Sequence, residues 1–360
     1  MIKTVPKTIA NEFDQQVRGV SLSRDAWRRL RKNRMAVAGG VVVMLYVLVA
    51  LAAPLLPMHS YTKINVDHQN LPPSLTKNAG ELLYAKTEKQ LLAVAGRQGR
   101  NGLNDQERAQ LAALREKIRT ETAVIDGKVV KVHERRYPLG TDYHGRDLLA
   151  RIVYGGQISI AVGFVGTVTS VLIGILVGAI AGYAGGRLDY IITRIIDIMY
   201  GLPYMLLVII FMAVFGRSIV NLFVALSLVS WLTVARVVRG QIISLKASEF
   251  VEAARSIGAG PARIILRHLL PNTLGIIIVY STLRVPSFIM QEAFLSVLGL
   301  GISAPLASWG TLVGDAIEGM DLYPWRLFYP SLAMTLFLFA MNFLGDGLRD
   351  AFDPQSKNRV

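Results

Sequence analysis

Two small sets of residues carry side chains able to do chemistry. Asp142, His144 and Asp147 place two carboxylates and an imidazole close together, a donor set for a metal ion. Their spacing matches no specific site, and Gly140 and Gly145 fit a turn leading into an interfacial helix, so the structural reading is preferred. Arg284, Gln291 and Glu292 form the second set, inside an apolar run at 273–297. An arginine near mid-membrane is expensive unless it faces protein or a water-filled cavity. Arg284, with Glu292 beyond it, therefore either lines a translocation path or is a structural residue paired with an acidic group on this chain or a partner. Other chemistry lacks its motif: there is no Gly-x-x-x-x-Gly-Lys-Ser/Thr phosphate loop, no nucleophile elbow and no His-Glu-x-x-His pair. The chain has no cysteine, which excludes disulfides, thiolate metal sites and a cysteine nucleophile. No catalytic residue, metal or cofactor is expected in this chain.

The elements that would position these residues are membrane helices. The 360 residues are 52% hydrophobic with a mean hydropathy of +0.42. Six stretches, near 36–56, 158–183, 190–215, 218–236, 273–297 and 327–345, have the roughly 17–25 apolar residues that span hydrocarbon as a helix. The runs are continuous rather than alternating, which favours helices over a barrel. Arg24, Arg28, Arg29, Arg31, Lys32 and Arg34 precede the first run, which places the amino terminus in the cytoplasm. Counting forward puts the loop at 237–272 and the carboxyl end inside as well. Ala50-Leu51-Ala52 looks like a signal cleavage site, yet the polar leader and the span are both too long, and a retained signal-anchor is expected. The net charge of +14 does not imply nucleic acid, because the basic residues lie beside spans rather than in an aromatic-interleaved patch.

The resulting division is a basic cytoplasmic segment at 1–35, a first span at 36–57, an extracytoplasmic insert at 58–157, a five-span core at 158–345 and a cytoplasmic tail at 346–360. In the insert, 79–95 and 104–122 read as helices, with Asn104 and Glu107 as a capping pair, and Asp126-Gly127 as a hairpin turn. Gly174, Gly178 and Gly182 bare one helix face for close packing. Gly201-Leu202-Pro203 should bend the third span, with Arg194 and Asp197 placed to pair before it.

Residues 247–257 suit a short helix, Gly258-Ala259-Gly260 breaks it, and Pro261 opens a second helix expected to end before Pro271. The pattern of Glu252, Ala253 and Ala254, then Gly258, then Leu270 and Pro271 resembles the coupling loop of ABC importer permeases. His268 stands where the general pattern has an aliphatic residue, and Arg267 to Asn272 resembles the peptide-transporter branch. Trp27 to Arg34, Gly140-Thr141-Asp142 with Gly145-Arg146-Asp147, Leu295 to Gly301, Ser308-Trp309-Gly310 and Gly345 to Pro354 are similar to segments of the same permeases. The resemblance implies an all-α, six-helix permease of the type I importer kind, in a bacterial inner membrane, with both termini inside. It also implies a second homologous permease chain, two ATPase subunits that bind the ATP, an extracytoplasmic binding protein and a lipid surround. Arg284 would then meet a carboxylate or carbonyls of a passing peptide. The alternative is an ion-coupled carrier, which would need coupling carboxylates or histidines in the spans and two repeated halves.

Overall fold

A computed structural model describes residues 22–125 and 128–352. A short helix, α1 (Leu22–Lys32), is joined by Asn33 alone to α2 (Arg34–Ala52), and the Asn33 side chain accepts from the Ala36 N–H at 3.2 Å as the cap of α2. The segment that follows is folded. Helices α3 (Ala79–Arg97) and α4 (Asp105–Thr120) lie against each other, and Asn104 and Glu107 form the expected reciprocal capping box. Strands β1 (Thr122–Ile125) and β2 (Lys128–Lys131) pair antiparallel, Val124 opposite Val129; the expected Asp126-Gly127 turn lies outside the described residues.

The remainder is helical: α5 (Leu148–Ala184), α6 (Gly186–Gly201), α7 (Tyr204–Phe215), α8 (Ile219–Leu245), α9 (Glu249–Ser256), α10 (Pro261–Ile264), α11 (Leu270–Val297), α12 (Trp309–Ile317) and α13 (Trp325–Phe352). Among the described residues, five helices are long and apolar enough to cross a membrane, and the bent pair α6 and α7 would make a sixth if it is one span.

Three boundaries differ from the sequence reading. Helix α5 starts at Leu148 rather than near 158; its 37 residues reach about 55 Å, well beyond a bilayer core. Its early turns are held by Trp309, whose indole N–H donates to the Ile152 carbonyl and whose backbone N–H donates to Ser159 Oγ, both at 2.9 Å. Helix α8 runs on to Leu245, and α13 runs to Phe352, past the expected end of the core. The third span bends at Gly201-Leu202-Pro203 as expected, and the bend is a break into two segments at 82°. Pro203 has no N–H for the helix and disfavours helical geometry at Leu202, which is extended at φ −90° and ψ 138°.

Asp197 does not pair with Arg194. It bonds Arg236 on α8 at 2.7 Å, while Arg194 donates to the Tyr190 hydroxyl at 3.2 Å. The glycine face does bring helices together: a Cβ on Gly174 would lie 2.5 Å from Val234 Cβ, and one on Gly178 would lie 2.5 Å from the Ala235 carbonyl oxygen. Helix α5 can therefore lie against α8 with backbone in contact, the mode expected where lipid gives helices no hydrophobic drive to pack.

Candidate functional site

The 82° break creates a cleft. Tyr200, Leu202 and Tyr204 at the break, Ser230 and Thr233 on α8, and Arg284 and Gln291 on α11 line a cavity of 350 Å³. Broken helices at mid-membrane are tolerated where they line a cavity, because their freed backbone groups then find partners there. The polar groups in the cleft are oriented. Arg284 donates one N–H to the Ser230 carbonyl at 2.8 Å, the Tyr204 hydroxyl donates to Gln291 Oε1 at 2.7 Å, and the Tyr200 and Thr233 hydroxyls lie 2.7 Å apart. Among the described residues Arg284 makes no ion pair, and the lining holds no carboxylate. The result is a half-buried guanidinium with spare N–H donors, surrounded by hydroxyl and amide groups, which suits an anionic carboxylate and neighbouring amide groups.

Glu292 does not share this cleft. It is fully buried, its Oε1 accepts from Ser308 Oγ at 2.5 Å and from Ser296 Oγ at 2.7 Å, and its Oε2 has no hydrogen-bond partner among the described residues. Ser308 is also the cap of α12, so Glu292 sits at that helix's amino end, where its dipole favours an anion. Arg284 and Glu292 are thus not brought together, although they share a helix.

The 252–271 segment forms an elbow, but not of two separate helices. Helix α9 ends in a Schellman motif: Gly258 has φ +82°, Ala259 N–H bonds the Ala254 carbonyl at 3.0 Å and Gly258 N–H bonds that of Arg255 at 2.9 Å. The second helix does not stop before Pro271. It passes through a π turn, Ile265–Leu269, in which Leu270 N–H reaches back five residues to Ile265, and continues into α11. The widened turn accommodates Pro271, which has no N–H to donate and a ring that crowds an ordinary helical turn. Val251, Ala254, Ile264 and Leu269 are buried against Val238 and Ile242 of α8. Ala254 therefore faces inward, Leu270 is half-buried, and Glu252, Ala253, Gly258 and Pro271 are exposed. Glu252 has no ion-pair partner among the described residues. Ile257 at the tip is 86% exposed and Leu266 67%. Lys246 ties the elbow to α5 by donating to the Tyr183 carbonyl at 3.2 Å.

The Asp142, His144 and Asp147 set is structural. Asp142 accepts from Arg146 and Arg151 at 2.7 Å each and from the backbone N–H groups of His144 and Arg146 at 2.9 Å. Asp147 caps α5 through the Leu149 N–H at 2.9 Å, and its burial pushes the carboxyl up to about 6. A different trio, Asp67, Glu121 and His133, has ligand atoms within 4.8 Å of one another. The Lys117 ammonium occupies it, 2.8 Å from Asp67 and 3.8 Å from Glu121. Sequence reasoning missed this trio, and it missed Tyr200, Tyr204 and Thr233, because neither set is assembled by local spacing.

Broken apolar helices around a charged cleft, with a packed elbow at one end, define a polytopic membrane transport protein. Residues 174–358 match the family described as binding-protein-dependent transport system inner membrane component, and 21–73 match the N-terminal TM domain of oligopeptide transport permease C. The chain is 38% identical to the dipeptide transport system permease protein DppC of Bacillus subtilis, over 93% of this chain and 87% of that protein. It is 36% identical to the oligopeptide transport system permease protein OppC of Escherichia coli K12, over 95% of this chain and 94% of that one. A chain of the inward-facing MetNI methionine ABC transporter overlays with a TM-score of 0.47 at 19% identity, covering 57% of this chain and 98% of that chain. The protein belongs to the binding-protein-dependent transport system inner membrane components. It is an inner-membrane permease subunit. These matches lend nothing to the ion-coupled carrier.

Proposed function

We propose that the chain forms half of the translocation path of an ATP-driven importer of peptides, with a second homologous permease, two ATPase subunits and an extracytoplasmic binding protein. The single observation that carries this reading is the cleft at the α6–α7 break, with Arg284 as its one charged group and no carboxylate among its lining. A peptide offers a terminal carboxylate to the guanidinium and main-chain amides to Tyr200, Tyr204, Thr233 and Gln291. The peptide-permease relatives support that choice of substrate. In this arrangement six spans, with α6 and α7 counted as one, keep both termini in the cytoplasm and put the 58–147 segment outside.

The elbow carries motion between the cleft and the ATPases. Glu252, Ala253, Gly258, Pro271 and the bare Ile257 face a partner, while Ala254 and Leu270 pack the elbow against α8 and α11. A push on α9 therefore reaches α8, which carries Ser230 and Thr233 of the cleft, and the helices alternate access.

Uptake of a labelled dipeptide and its carboxyl-terminal amide, in cells whose own copy is replaced, tests the reading. Arg284→Leu is expected to abolish most uptake of the free-acid peptide and Arg284→Lys to retain part of it. Equal uptake by wild type and a stably inserted Arg284→Leu protein would remove Arg284 from the path.

A further inference from the structure

Helix α1 has two faces with different fates. Ala26 and Leu30 are buried against Leu348, Ala351 and Phe352 at the end of α13, which pins the helix in place. The outward face carries Arg24, Arg28, Arg31 and Lys32, all exposed, with Arg34 just beyond. The acidic residue of the helix, Asp25, is paired with Arg29 at 2.9 Å. Trp27 lies on the exposed face at 56% exposure, with the Arg31 guanidinium 4.9 Å above its ring. An exposed tryptophan beside cations is the pairing that seats a helix at the headgroup level. Asn33 alone separates α1 from the first span, so the basic face lies within one residue of where that span begins.

We propose that the outward face of α1 is a binding surface for the headgroups of anionic phospholipids of the leaflet in which α2 begins. Headgroup phosphates meet Arg24, Arg28, Arg31 and Lys32. Occupancy would hold α1 at the membrane surface while Ala26 and Leu30 keep it against α13. The site does not depend on which solute is carried.

The test uses the full-length chain, purified in an uncharged detergent and given equal amounts of phosphatidylglycerol and phosphatidylcholine. Lipids retained after detergent exchange are counted by native mass spectrometry. Wild type is expected to retain phosphatidylglycerol at least about tenfold over phosphatidylcholine, with the preference falling as salt rises. At about fivefold per basic side chain, Arg24→Gln, Arg28→Gln, Arg31→Gln and Lys32→Gln together should erase it, whereas lysine at the three arginine positions should keep it. Equal retention of both lipids, a preference indifferent to salt, or one unchanged by the glutamines would overturn the proposal. So would loss of a co-purifying ATPase from the glutamine variant with the lipid preference intact, which would assign the surface to that subunit. Should the glutamine variant fail to insert, the wild-type salt series and the lysine variant still decide.

Discussion

Arg239 on α8 holds both carboxylate oxygens of Asp189 on α6, Nε to Oδ1 at 2.5 Å and one terminal nitrogen to Oδ2 at 2.7 Å. This two-pronged bond fixes the start of the broken span to the helix that leads into the elbow. Charge-assisted bonds of this geometry are stronger than neutral ones. Asp189→Asn should lower the stability of the detergent-solubilised chain by roughly 1–3 kcal/mol, read as an earlier thermal transition. Arg239→Gln should add little once Asp189 is replaced, so a double-mutant cycle checks the coupling directly.

The helix contact nearby is steric. A Cβ on Gly178 would sit 2.5 Å from the Ala235 carbonyl oxygen, a backbone atom that cannot swing aside. Gly178→Leu should cost about 3 kcal/mol or more through overpacking, seen as loss of monodisperse protein, while Gly240→Ala, which meets nothing within 4 Å, should be tolerated.

Glu292 ties α11 to α12. Its removal leaves the Ser296 and Ser308 hydroxyls without their acceptor inside the protein. Glu292→Ala should cost on the order of 2 kcal/mol, and Glu292→Gln, which keeps an acceptor oxygen, should cost less. Equal melting of both variants and wild type would show that this carboxyl does not hold the two helices.

The segment between the first two spans carries its own pH response. Burial, and then the nearby His133, push His68 down to about 3. An unfolded histidine titrates near 6.5, so between pH 6.5 and 3 the unfolded chain takes up a proton that the folded chain refuses. Stability from His68 is complete above pH 6.5 and is lost as pH falls toward 3, by on the order of 5 kcal/mol. Asp147, raised to about 6 chiefly by burial, works the other way: its share is present below pH 4 and lost as pH rises through 6. Hydrogen exchange of this segment in the full chain should show protection rising with pH in wild type. In His68→Gln the slope between pH 4 and 6 should flatten. An unchanged slope would remove His68 as the dominant group.

The spans, the capping box, the glycine face and the elbow were legible in the sequence because each is set by local spacing: apolar length, a cap three residues from its partner, glycines one turn apart, Gly258 before Pro261. What was not legible depends on chain segments far apart. The Asp197–Arg236 pair joins helices 39 residues apart, and Trp309, 157 residues on, holds the long start of α5. The cleft needs three helices at once, so Arg284 stood out alone while Tyr200, Tyr204 and Thr233 did not. Spacing also grouped Glu292 with Arg284, although the inward turn of Glu292 is decided by Ser308. The continuation through Pro271 was missed because a proline normally closes a helix, and the π turn that accommodates it has no sequence mark.

If the exposed side of the elbow is the surface an ATPase subunit grips, purification of the tagged chain in mild detergent from its native host, with mass spectrometric identification of what accompanies it, should separate wild type from a Glu252→Lys, Gly258→Asp variant. An ATPase is expected to copurify with wild type and to be lost from the variant, while the variant chain remains intact and inserted. Recovery of the chain alone in both forms, or an ATPase retained equally by both, would remove the elbow as the ATPase contact.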